Sequence, residues 1–390
     1  MTPHPLAELP IARDTRTRVV VVGGGIAGLV AAISLAECRA RVTLHEARGR
    51  LGGRGNSTPG PRRANLGPHA LYRHGPLEAW LRDRALLPAL AFPPPTRVRV
   101  LHDGKLRRLP TPLFPMARHA RVTAPVDASF RSWAGARMGS AAAEAAIGFA
   151  ALPTFHADPG ALSAAFVQER IRRSLRWRAV GYVVGGWSNL VARLGARARA
   201  LGVEIHLGSK LAEIPEEPCI VATDLPAAAR LFRDPSLAWP GPRTALLDVA
   251  LRARRADTFA VLSLDHRVYA SRTSAVDPSL VPRGESLVQA HAGIAAGERL
   301  EDGLARIRAV LDAGFPGWRE RTTWERHGLV DAGAGAADPP GASWRARPAL
   351  DRGGARWLAG DRVAAPGVLT EVCFASARAA ARGVLEKCLG

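Results

Sequence analysis

Residues 18–30 read RVVVVGGGIAGLV, and this stretch decides the fold. The unbroken run of β-branched residues from Val19 to Val22 predicts a strand, Arg18 to Val22, that is buried in a parallel sheet. Gly23, Gly25 and Gly28 then follow with the spacing Gly-x-Gly-x-x-Gly. The first glycine permits a tight turn, the second lets the backbone approach a pyrophosphate, and the third permits close packing of a helix on the strand. The stretch therefore predicts the start of a dinucleotide-binding fold.

A helix and a second strand are predicted next, and with the first strand they form a βαβ unit. Small and apolar residues predict the helix from Ile26 to Glu37, and residues Arg41 to His45 predict the strand. The N-terminus of such a helix presents free N–H groups and a partial positive charge to phosphates. Glu46 ends the second strand, 18 residues after Gly28, where a carboxylate accepts hydrogen bonds from an adenosine ribose.

The apolar run from Val19 to Ala36 has the length of a membrane span or of a secretory leader. Four consecutive valines followed by three consecutive glycines favour instead a buried strand that enters a turn. The cysteines are sparse and form no CxxC pair, so we expect neither a disulfide framework nor a metal site. They are Cys38, Cys219, Cys373 and Cys388. This pattern predicts a cytoplasmic protein.

The chain is strongly basic, with 54 Lys and Arg, 34 Asp and Glu, and a formal net charge of +20. Lys105, Lys210 and Lys387 are its lysines, so arginine supplies nearly all of this charge. An arginine excess with abundant Ala, Gly and Pro is typical of a GC-rich bacterial genome. We expect no nucleic-acid partner, because no helix-turn-helix, zinc spacing or aromatic-basic platform accompanies the charge. An anionic membrane or an acidic substrate remains open as a partner, and the oligomeric state is not predicted.

The segment after the second strand, residues 48–54, reads RGRLGGR and is similar to the one that follows the glycine fingerprint in a large flavoprotein group. That group contains phytoene desaturases, protoporphyrinogen oxidase and the monoamine oxidases. Three later segments resemble the same group in the same order. They are NLGPHALY at 65–72, GGWSNL at 185–190 and LAGD at 358–361. The resemblance covers residues 18–386 and implies FAD, rather than NAD, as the cofactor.

The resemblance also implies roles for these segments. Gly52 and Gly53 bring a second backbone loop to the diphosphate, Ser209 to Leu211 bind the adenine, and residues 65–72 pass beside the flavin ring. Asp361 bonds the ribityl chain, and the helix after it directs its N-terminus at the pyrimidine ring of the flavin. The implied cofactor-binding residues are Gly23, Gly25, Ile26, Ala27, Gly28, Glu46, Ala47, Arg48, Gly52, Gly53, Arg54, Gly67, Pro68, His69, Leu211, Gly360, Asp361, Leu369, Thr370 and Val372.

The expected fold class is α/β, with a discontinuous Rossmann-like FAD-binding domain, similar to that of glutathione reductase, and an α+β substrate domain. We expect the FAD-binding domain at 17–90, 183–235 and 345–390, and the substrate domain at 91–182 and 236–344. Within the latter, alternating segments between 244 and 291 predict an antiparallel sheet. Ser188 is predicted as the N-cap of a helix in the FAD-binding domain.

The candidates for catalysis are His69 and Tyr72, which we place nearest the reacting centre. Proton transfer is a role open to His69, whereas a packing role for the whole segment is the alternative. Glu371 either contacts the flavin edge or caps the closing helix. The arginine-rich segment 170–178 has apolar residues on one helical face, and it either rests on a membrane, clamps an acidic substrate or is a solvated surface.

The group's chemistry implies that FAD takes a hydride from a C–H bond while the protein binds and orients the substrate. Monoamine oxidases carry a lysine that bridges through water to the flavin N5, but this chain has no lysine between residues 211 and 386. Residues 366–372 offer no aromatic side chain to frame an amine. Residues 330–360 contain no cysteine for covalent attachment, so we expect non-covalent FAD.

We therefore expect an FAD-dependent dehydrogenase or desaturase that acts on a largely apolar small molecule, in secondary metabolism. A flavin amine oxidase and a redox-neutral flavin-dependent isomerase remain alternatives. A non-enzymatic carrier that lost the flavin is disfavoured by Glu46 and Asp361. The chain shows no second nucleotide fingerprint, so the expected electron acceptor is oxygen, a quinone or another protein. A location in the cytoplasm, with peripheral contact to the membrane, remains open.

Overall fold

The N-terminal part of the chain forms the βαβ unit that the sequence predicts. The computed structural model describes residues 5–10, 17–67, 70–94, 97–119, 121–176 and 178–389. Strand β1 (Arg18–Val22), helix α1 (Ile26–Glu37) and strand β2 (Arg41–Glu46) follow one another, and the two strands pair in parallel. The long apolar run is thus a buried strand and a buried helix. None of the described helices has the length and apolar character needed to cross a membrane.

The remaining elements follow in chain order. The strands are β3 (Leu71–Tyr72), β4 (Leu90–Ala91), β5 (Val98–His102), β6 (Lys105–Arg107), β7 (Val180–Val183), β8 (Glu204–Leu207), β9 (Cys219–Val221), β10 (Arg243–Arg252), β11 (Ala260–Ser263), β12 (Val268–Arg272), β13 (Glu285–Ile294), β14 (Thr322–Asp331) and β15 (Arg356–Leu358). The helices are α2 (Pro76–Asp83), α3 (Phe114–His119), α4 (Phe130–Met138), α5 (Ser140–Thr154), α6 (Ala164–Ser174), α7 (Trp187–Ala200), α8 (Leu225–Phe232), α9 (Leu300–Gly314), α10 (Trp318–Arg321) and α11 (Thr370–Leu389).

A parallel five-stranded sheet with the order β15-β9-β1-β2-β8 forms the nucleotide-binding part. Its strands come from three separate stretches of the chain, as in a discontinuous domain. Helices α1, α7 and α11 pack on one face around Leu29, Leu190 and Phe374, which are fully buried. Because all five strands run in the same direction, their carboxyl ends meet at one edge, where nucleotides bind in folds of this class. The exact domain boundaries stay a prediction.

A seven-stranded sheet with the order β14-β10-β13-β12-β11-β5-β6 forms the second part. Neighbouring strands are antiparallel except for β11 and β5, so the antiparallel sheet expected within 244–291 is confirmed. Helix α9 covers one face through a core that includes Val249 and Ala290. The opposite face carries Gln289 and His291, which contact Asn65 and Phe155 respectively. Residues from two segments outside this sheet thus contact its second face.

The prediction for the start of α7 was wrong. The helix begins at Trp187, and Gly186, with φ of 78°, occupies the N-cap position instead of Ser188. The hydroxyl of Ser188 accepts a hydrogen bond from the backbone N–H of Ser57 at 2.8 Å. Its side chain therefore holds a neighbouring loop and does not cap its own helix.

Candidate functional site

In the glycine turn between β1 and α1, Gly23 and Gly28 pack tightly against neighbouring backbone, whereas Gly25 has free space beside it. Gly23 has φ of 107°, and a Cβ there would lie 2.7 Å from the carbonyl oxygen of Ala222. A Cβ on Gly28 would lie 1.8 Å from the carbonyl oxygen of Gly23, so the helix packs directly on the turn. At Gly25, by contrast, no heavy atom lies within 4 Å of the position of a Cβ. The turn thus leaves free space at the one glycine that the sequence pattern assigns to a pyrophosphate.

The loop that contains Gly52 and Gly53 lies directly against the turn that contains Gly24 and Gly25. The N–H of Gly52 donates to the carbonyl of Gly24 at 2.7 Å, and Gly25 and Gly52 form an isolated parallel bridge. A Cβ on Gly53 would lie 3.7 Å from the Cα of Gly25. Gly52 and Gly53 both have a positive φ, 110° and 52°, which residues other than glycine rarely adopt. The two loops therefore bring bare backbone to the same open space.

Glu46 lies at the end of β2 with its carboxylate turned into the turn. Its side chain accepts hydrogen bonds from the backbone N–H of Gly24 at 2.7 Å and of Arg48 at 2.8 Å. A carboxylate has about four acceptor positions, so acceptor capacity remains for the hydroxyls of a ribose. The segment predicted to bind adenine lies at the same edge, because the N–H of Ser209 donates to the carbonyl of Glu46 at 2.9 Å. Leu211, two residues later, packs against the core on the other face of the sheet.

Arg54 and Asp361 form an ion pair between the loop after β2 and the loop after β15, with 2.6 Å between Nη1 and Oδ2. Nη1 of Arg54 also donates to the carbonyl of Gly333 at 2.6 Å. Burial alone would raise the pKa of Asp361, but the charge and the hydrogen bond of Arg54 hold it below its usual range. The carboxylate predicted to bond the ribityl chain is therefore ionised at neutral pH. Gly360, before it, donates its N–H to Ser376 of α11 at 3.0 Å.

The start of α11 is shaped by Leu369 and Glu371. Leu369 has φ of 53°, and the helix begins at Thr370. The carboxylate of Glu371 accepts hydrogen bonds from the N–H of Val368 at 3.1 Å and from Arg173 of α6 at 2.6 Å. Of the two roles that the sequence leaves open for Glu371, the structure shows the capping contact. It also shows a link to α6, which sequence reasoning missed.

Of the two catalytic candidates, Tyr72 can be placed. It is buried in β3, with its hydroxyl 3.4 Å from that of Ser174. Burial raises the pKa of Tyr72, so the phenol keeps its proton at neutral pH and is a hydrogen-bond donor. His69 and Pro68 lie outside the described residues. Gly67 lies beside the second glycine loop, because a Cβ on it would lie 2.7 Å from the carbonyl oxygen of Arg54. The catalytic roles stay predictions.

A buried polar network on the second sheet was missed by sequence reasoning. Nε2 of Gln289 donates to Asp248 at 3.0 Å and to the carbonyl of Asn65 at 3.2 Å. Nε of Arg326 donates to Asp248 at 2.9 Å, and Nη2 of Arg326 donates to the carbonyl of Asn65 at 3.3 Å. The network therefore positions the segment that is predicted to pass the flavin ring. The sequence feature that indicates this network is Asp248, an aspartate between the buried apolar residues Leu247 and Val249.

The arginine-rich segment 170–178 is not the exposed amphipathic face that its pattern suggested. Ile171 is fully buried in the core around α4, α5 and α6, and Arg170 is buried as well. Leu175, the second apolar residue, is exposed. The interpretation of both apolar residues as one membrane-facing surface was therefore wrong, because α6 is packed on nearly all sides. Contact with a membrane elsewhere on the protein stays a prediction.

One group of described side chains has the geometry of metal ligands. His102 and Asp103, at the turn between β5 and β6, and Asp265, at the turn between β11 and β12, bring one ligand atom each to within 4.8 Å of one another. Asp265 already accepts the backbone N–H groups of Asp103 and Gly104, at 3.2 Å each, so it serves to close the hairpin turn. Our expectation that the chain holds no metal stays a prediction.

Comparisons with known proteins agree with the architecture. The model of a family described as NAD(P)-binding Rossmann-like domain matches residues 21–83. No curated protein sequence matches the chain. Among solved structures, an oxidoreductase from Methanosarcina mazei is similar over 96% of this chain and 100% of its own, with a TM-score of 0.75 and 18% identity.

Two further structures show how varied the relatives of this fold are. Cyclohexylamine oxidase from Brevibacterium oxydans has a TM-score of 0.73 and 16% identity, over 96% of this chain and 100% of its own. Reduced UDP-galactopyranose mutase has a TM-score of 0.64 and 15% identity, over 83% of this chain and 85% of its own. At such identities the likeness establishes the fold. The predicted fold class is thereby confirmed, and the predicted resemblance to this group is confirmed at the level of the fold.

Proposed function

We propose that the chain is an oxidoreductase that binds FAD without a covalent bond and takes a hydride from a C–H bond of a largely apolar small molecule. The observation that carries this proposal is the convergence of Gly25, Glu46 and the Arg54–Asp361 pair at the carboxyl edge of the parallel sheet. These residues come from both ends of the chain. Their convergence suits a ligand that extends from an adenosine at Glu46 to a polyol at Asp361.

The residues present fit the successive parts of FAD. The open backbone at Gly25, with Gly53 beside it, would hold the diphosphate, since free space lies there at the N-terminus of α1. Glu46 would accept the ribose hydroxyls, and the carboxylate of Asp361 would accept those of the ribityl chain. The N-terminus of α11 would favour negative charge on the pyrimidine end of the ring. When bound, FAD supplies a two-electron acceptor for hydride.

The protein's own contribution is to position the substrate and to exclude water. Asn65 is held by Gln289 and Arg326, so the segment that leads to Tyr72 is fixed on the sheet. The phenol of Tyr72 keeps its proton and can donate a hydrogen bond to a substrate or to a neighbouring hydroxyl. Electrons would then leave to oxygen, a quinone or a protein acceptor.

The proposal is tested by purifying the chain and recording its absorption spectrum, followed by chromatography of the cofactor that acid releases. A yellow protein that releases about one FAD per chain supports it. A colourless protein that takes up no FAD on reconstitution contradicts it. Anaerobic bleaching of the flavin by candidate substrates, with and without a carboxylate or an amine, would then identify the class of compound that is oxidised.

A redox-neutral isomerase is the second candidate, because a mutase crystallised in its reduced form shares the fold. Amine oxidation is the third, since a cyclohexylamine oxidase shares it as well. Turnover without net electron transfer, and only after reduction of the flavin by dithionite, would favour the isomerase. Release of aldehyde or ketone and hydrogen peroxide from an amine would favour the oxidase.

A further inference from the structure

Arg170 of α6 is a buried arginine with few partners. Only 2% of the surface of Arg170 is exposed to solvent. Nη1 donates to the carbonyl of Phe166 at 3.3 Å, and Cζ lies 3.4 Å from the centroid of the Phe166 ring. A guanidinium carries five N–H donors, and the Phe166 carbonyl is the hydrogen-bond acceptor that the described residues offer to them. Among the described residues, no carboxylate lies within ion-pair distance of it.

Arg347 shows how a neighbouring buried arginine is neutralised. Its Nε and Nη2 donate to the two carboxylate oxygens of Asp338 at 2.9 and 2.8 Å, and both side chains are almost fully buried. This is the bidentate geometry that makes a buried arginine tolerable. Arg170 lacks such a partner, and burial lowers its pKa to about 10. It therefore stays charged at neutral pH, and the carboxylates of Glu169 and Asp338 act on this charge only from beyond ion-pair distance.

Arg170 lies on the part of α6 that also carries the contacts with Tyr72 and Glu371. One face of α6 carries Phe166, Arg170, Arg173 and Ser174, which follow one another at spacings of four, three and one residues. Arg173 binds Glu371 at the start of α11, and the Ser174 hydroxyl lies 3.4 Å from that of Tyr72. Both contacts involve residues beside which the flavin ring is expected. The adjacent face of the helix, with Val167 and Ile171, is buried in the apolar core, to which Phe166 also belongs.

A charge that is buried without a counterion is unfavourable, and proteins retain one where a ligand supplies the missing partner. A planar guanidinium with free N–H groups matches a carboxylate in two parallel hydrogen bonds. The phosphates of FAD are a poorer partner, because the open glycine loops are at the other end of the proposed cofactor site. The missing anion is thus expected on the substrate.

We propose that Arg170 binds a carboxylate of the substrate, so that the enzyme acts on an amphiphilic acid with an apolar body. This rests on the proposed function, because it takes the flavin ring to lie beside Tyr72 and the start of α11. It adds a substrate class to that function and a specificity-determining residue to the site. The C–H bond that is oxidised then lies in the apolar body, at a fixed distance from the carboxylate.

The first test uses FAD-loaded enzyme and two probes of equal length, decanoate and decanamide. We expect decanoate to perturb the flavin absorption spectrum saturably, and decanamide to bind at least about tenfold more weakly, which corresponds to about 1.4 kcal/mol. In the variant Arg170→Met the difference between the probes disappears. Equal binding of both probes to the wild type, no binding of decanoate, or unchanged decanoate binding in the variant would each overturn the proposal.

A second measurement separates a ligand-binding role from a structural one. Arg170→Met removes a buried charge but keeps the length of the side chain, so we expect an unchanged or higher melting temperature. The matched variant Arg347→Met leaves the buried carboxylate of Asp338 without its ion-pair partner, so we expect a clear loss of stability. A loss in Arg170→Met as large as that in Arg347→Met would show that Arg170 is structural. Failure of the chain to bind FAD would instead refute the proposed function, so the two failures are distinguishable.

Discussion

Asp361 accepts a hydrogen bond from Arg54 at 2.6 Å, although 307 residues separate them in sequence. The pair joins the loop after the second strand of the parallel sheet to the loop after its last strand. Its two members are the arginine expected near the diphosphate and the carboxylate expected at the ribityl chain. The charge of Asp361 raises the pKa of Arg54, so the pair stays ionic across the physiological range. One contact therefore links the loop that we propose to hold the diphosphate to the loop that we propose to hold the ribityl chain.

Replacing Asp361 should weaken FAD binding. Asp361→Ala removes a charged acceptor and leaves Arg54 unpaired, and the expected loss is roughly 1.5–3 kcal/mol, or about 10- to 100-fold in affinity. Titration of apoprotein with FAD, read by quenching of flavin fluorescence, measures it. Asp351→Ala is the control, because this exposed carboxylate lies outside the cofactor site and serves a local turn. Equal affinity of Asp361→Ala and wild type would contradict the assignment.

The same pair predicts a pH dependence of apoprotein stability. A carboxylate whose pKa is lower in the folded state stabilises that state above its unfolded pKa, which is about 3.9 for aspartate. This contribution is lost as the pH falls through the lower, folded pKa. The difference in free energy of unfolding between wild type and Asp361→Asn should therefore shrink from about pH 5 towards about pH 2. Denaturant titrations of both apoproteins would show it, and a constant difference would be evidence against the pair.

Gly25 and Gly28 offer a matched pair of substitutions that separate binding from folding. Gly25 has φ of −74° and free space around its Cβ position, so Gly25→Ala should leave the stability of the apoprotein unchanged or raised by about 0.4–1 kcal/mol. The added methyl group would stand where the diphosphate is expected, so FAD affinity should fall by more than tenfold, about 1.4 kcal/mol.

Gly28→Ala should have the opposite profile. Its Cβ would lie 1.8 Å from the carbonyl oxygen of Gly23, a backbone atom that cannot move without displacing the helix from the sheet. We therefore expect a severe loss of apoprotein stability, measured by thermal unfolding of both variants without FAD. A stable Gly28→Ala, or a Gly25→Ala protein that binds FAD like the wild type, would contradict the geometry of the turn.

The sequence predicted those features that depend on local periodicity and turn chemistry. The βαβ unit and the antiparallel sheet follow from patterns of residues that are close together in the chain. The contacts of Arg170, the capping link between Arg173 and Glu371 and the network of Asp248 do not. They join positions from different strands and helices, and a single sequence carries no signal for which distant side chains meet. Even Ser188, a plausible cap by position, has its hydroxyl bound to a distant loop.

The cysteine environment predicts that FAD comes free on acid precipitation. Cys373 is the cysteine nearest to Asp361 in sequence, and burial raises its pKa to about 12. A thiol that stays protonated is a poor nucleophile towards a flavin. Cys219 is buried as well, with a pKa of about 11. After precipitation with trichloroacetic acid, we expect all flavin in the supernatant. Flavin in the pellet of the wild type but not of Cys373→Ala would show a covalent link through this residue.

The reduced enzyme should react slowly with oxygen. Oxygen accepts one electron at a time from reduced flavin, and the superoxide that forms is stabilised by a nearby positive charge. The chain has no lysine between residues 211 and 386 to supply this charge. Arg326 is the cation beside Asn65, but its guanidinium is paired with Asp248, so its field is largely cancelled. We expect photoreduced enzyme, mixed with air-saturated buffer in a stopped-flow instrument, to reoxidise at a rate near that of free reduced flavin.

Variants of the Arg326 pair sharpen this prediction. Asp248→Asn keeps the shape of the side chain but leaves the charge of Arg326 uncompensated, so reoxidation should be faster than in the wild type. Asp248→Asn combined with Arg326→Met removes that charge again and should return the rate to its original value. If wild-type enzyme is itself accelerated about a hundredfold or more over free flavin, a lowering of the barrier by about 2.7 kcal/mol, some other group supplies the charge. Oxygen would then be the natural acceptor, and amine oxidation would become the first candidate function.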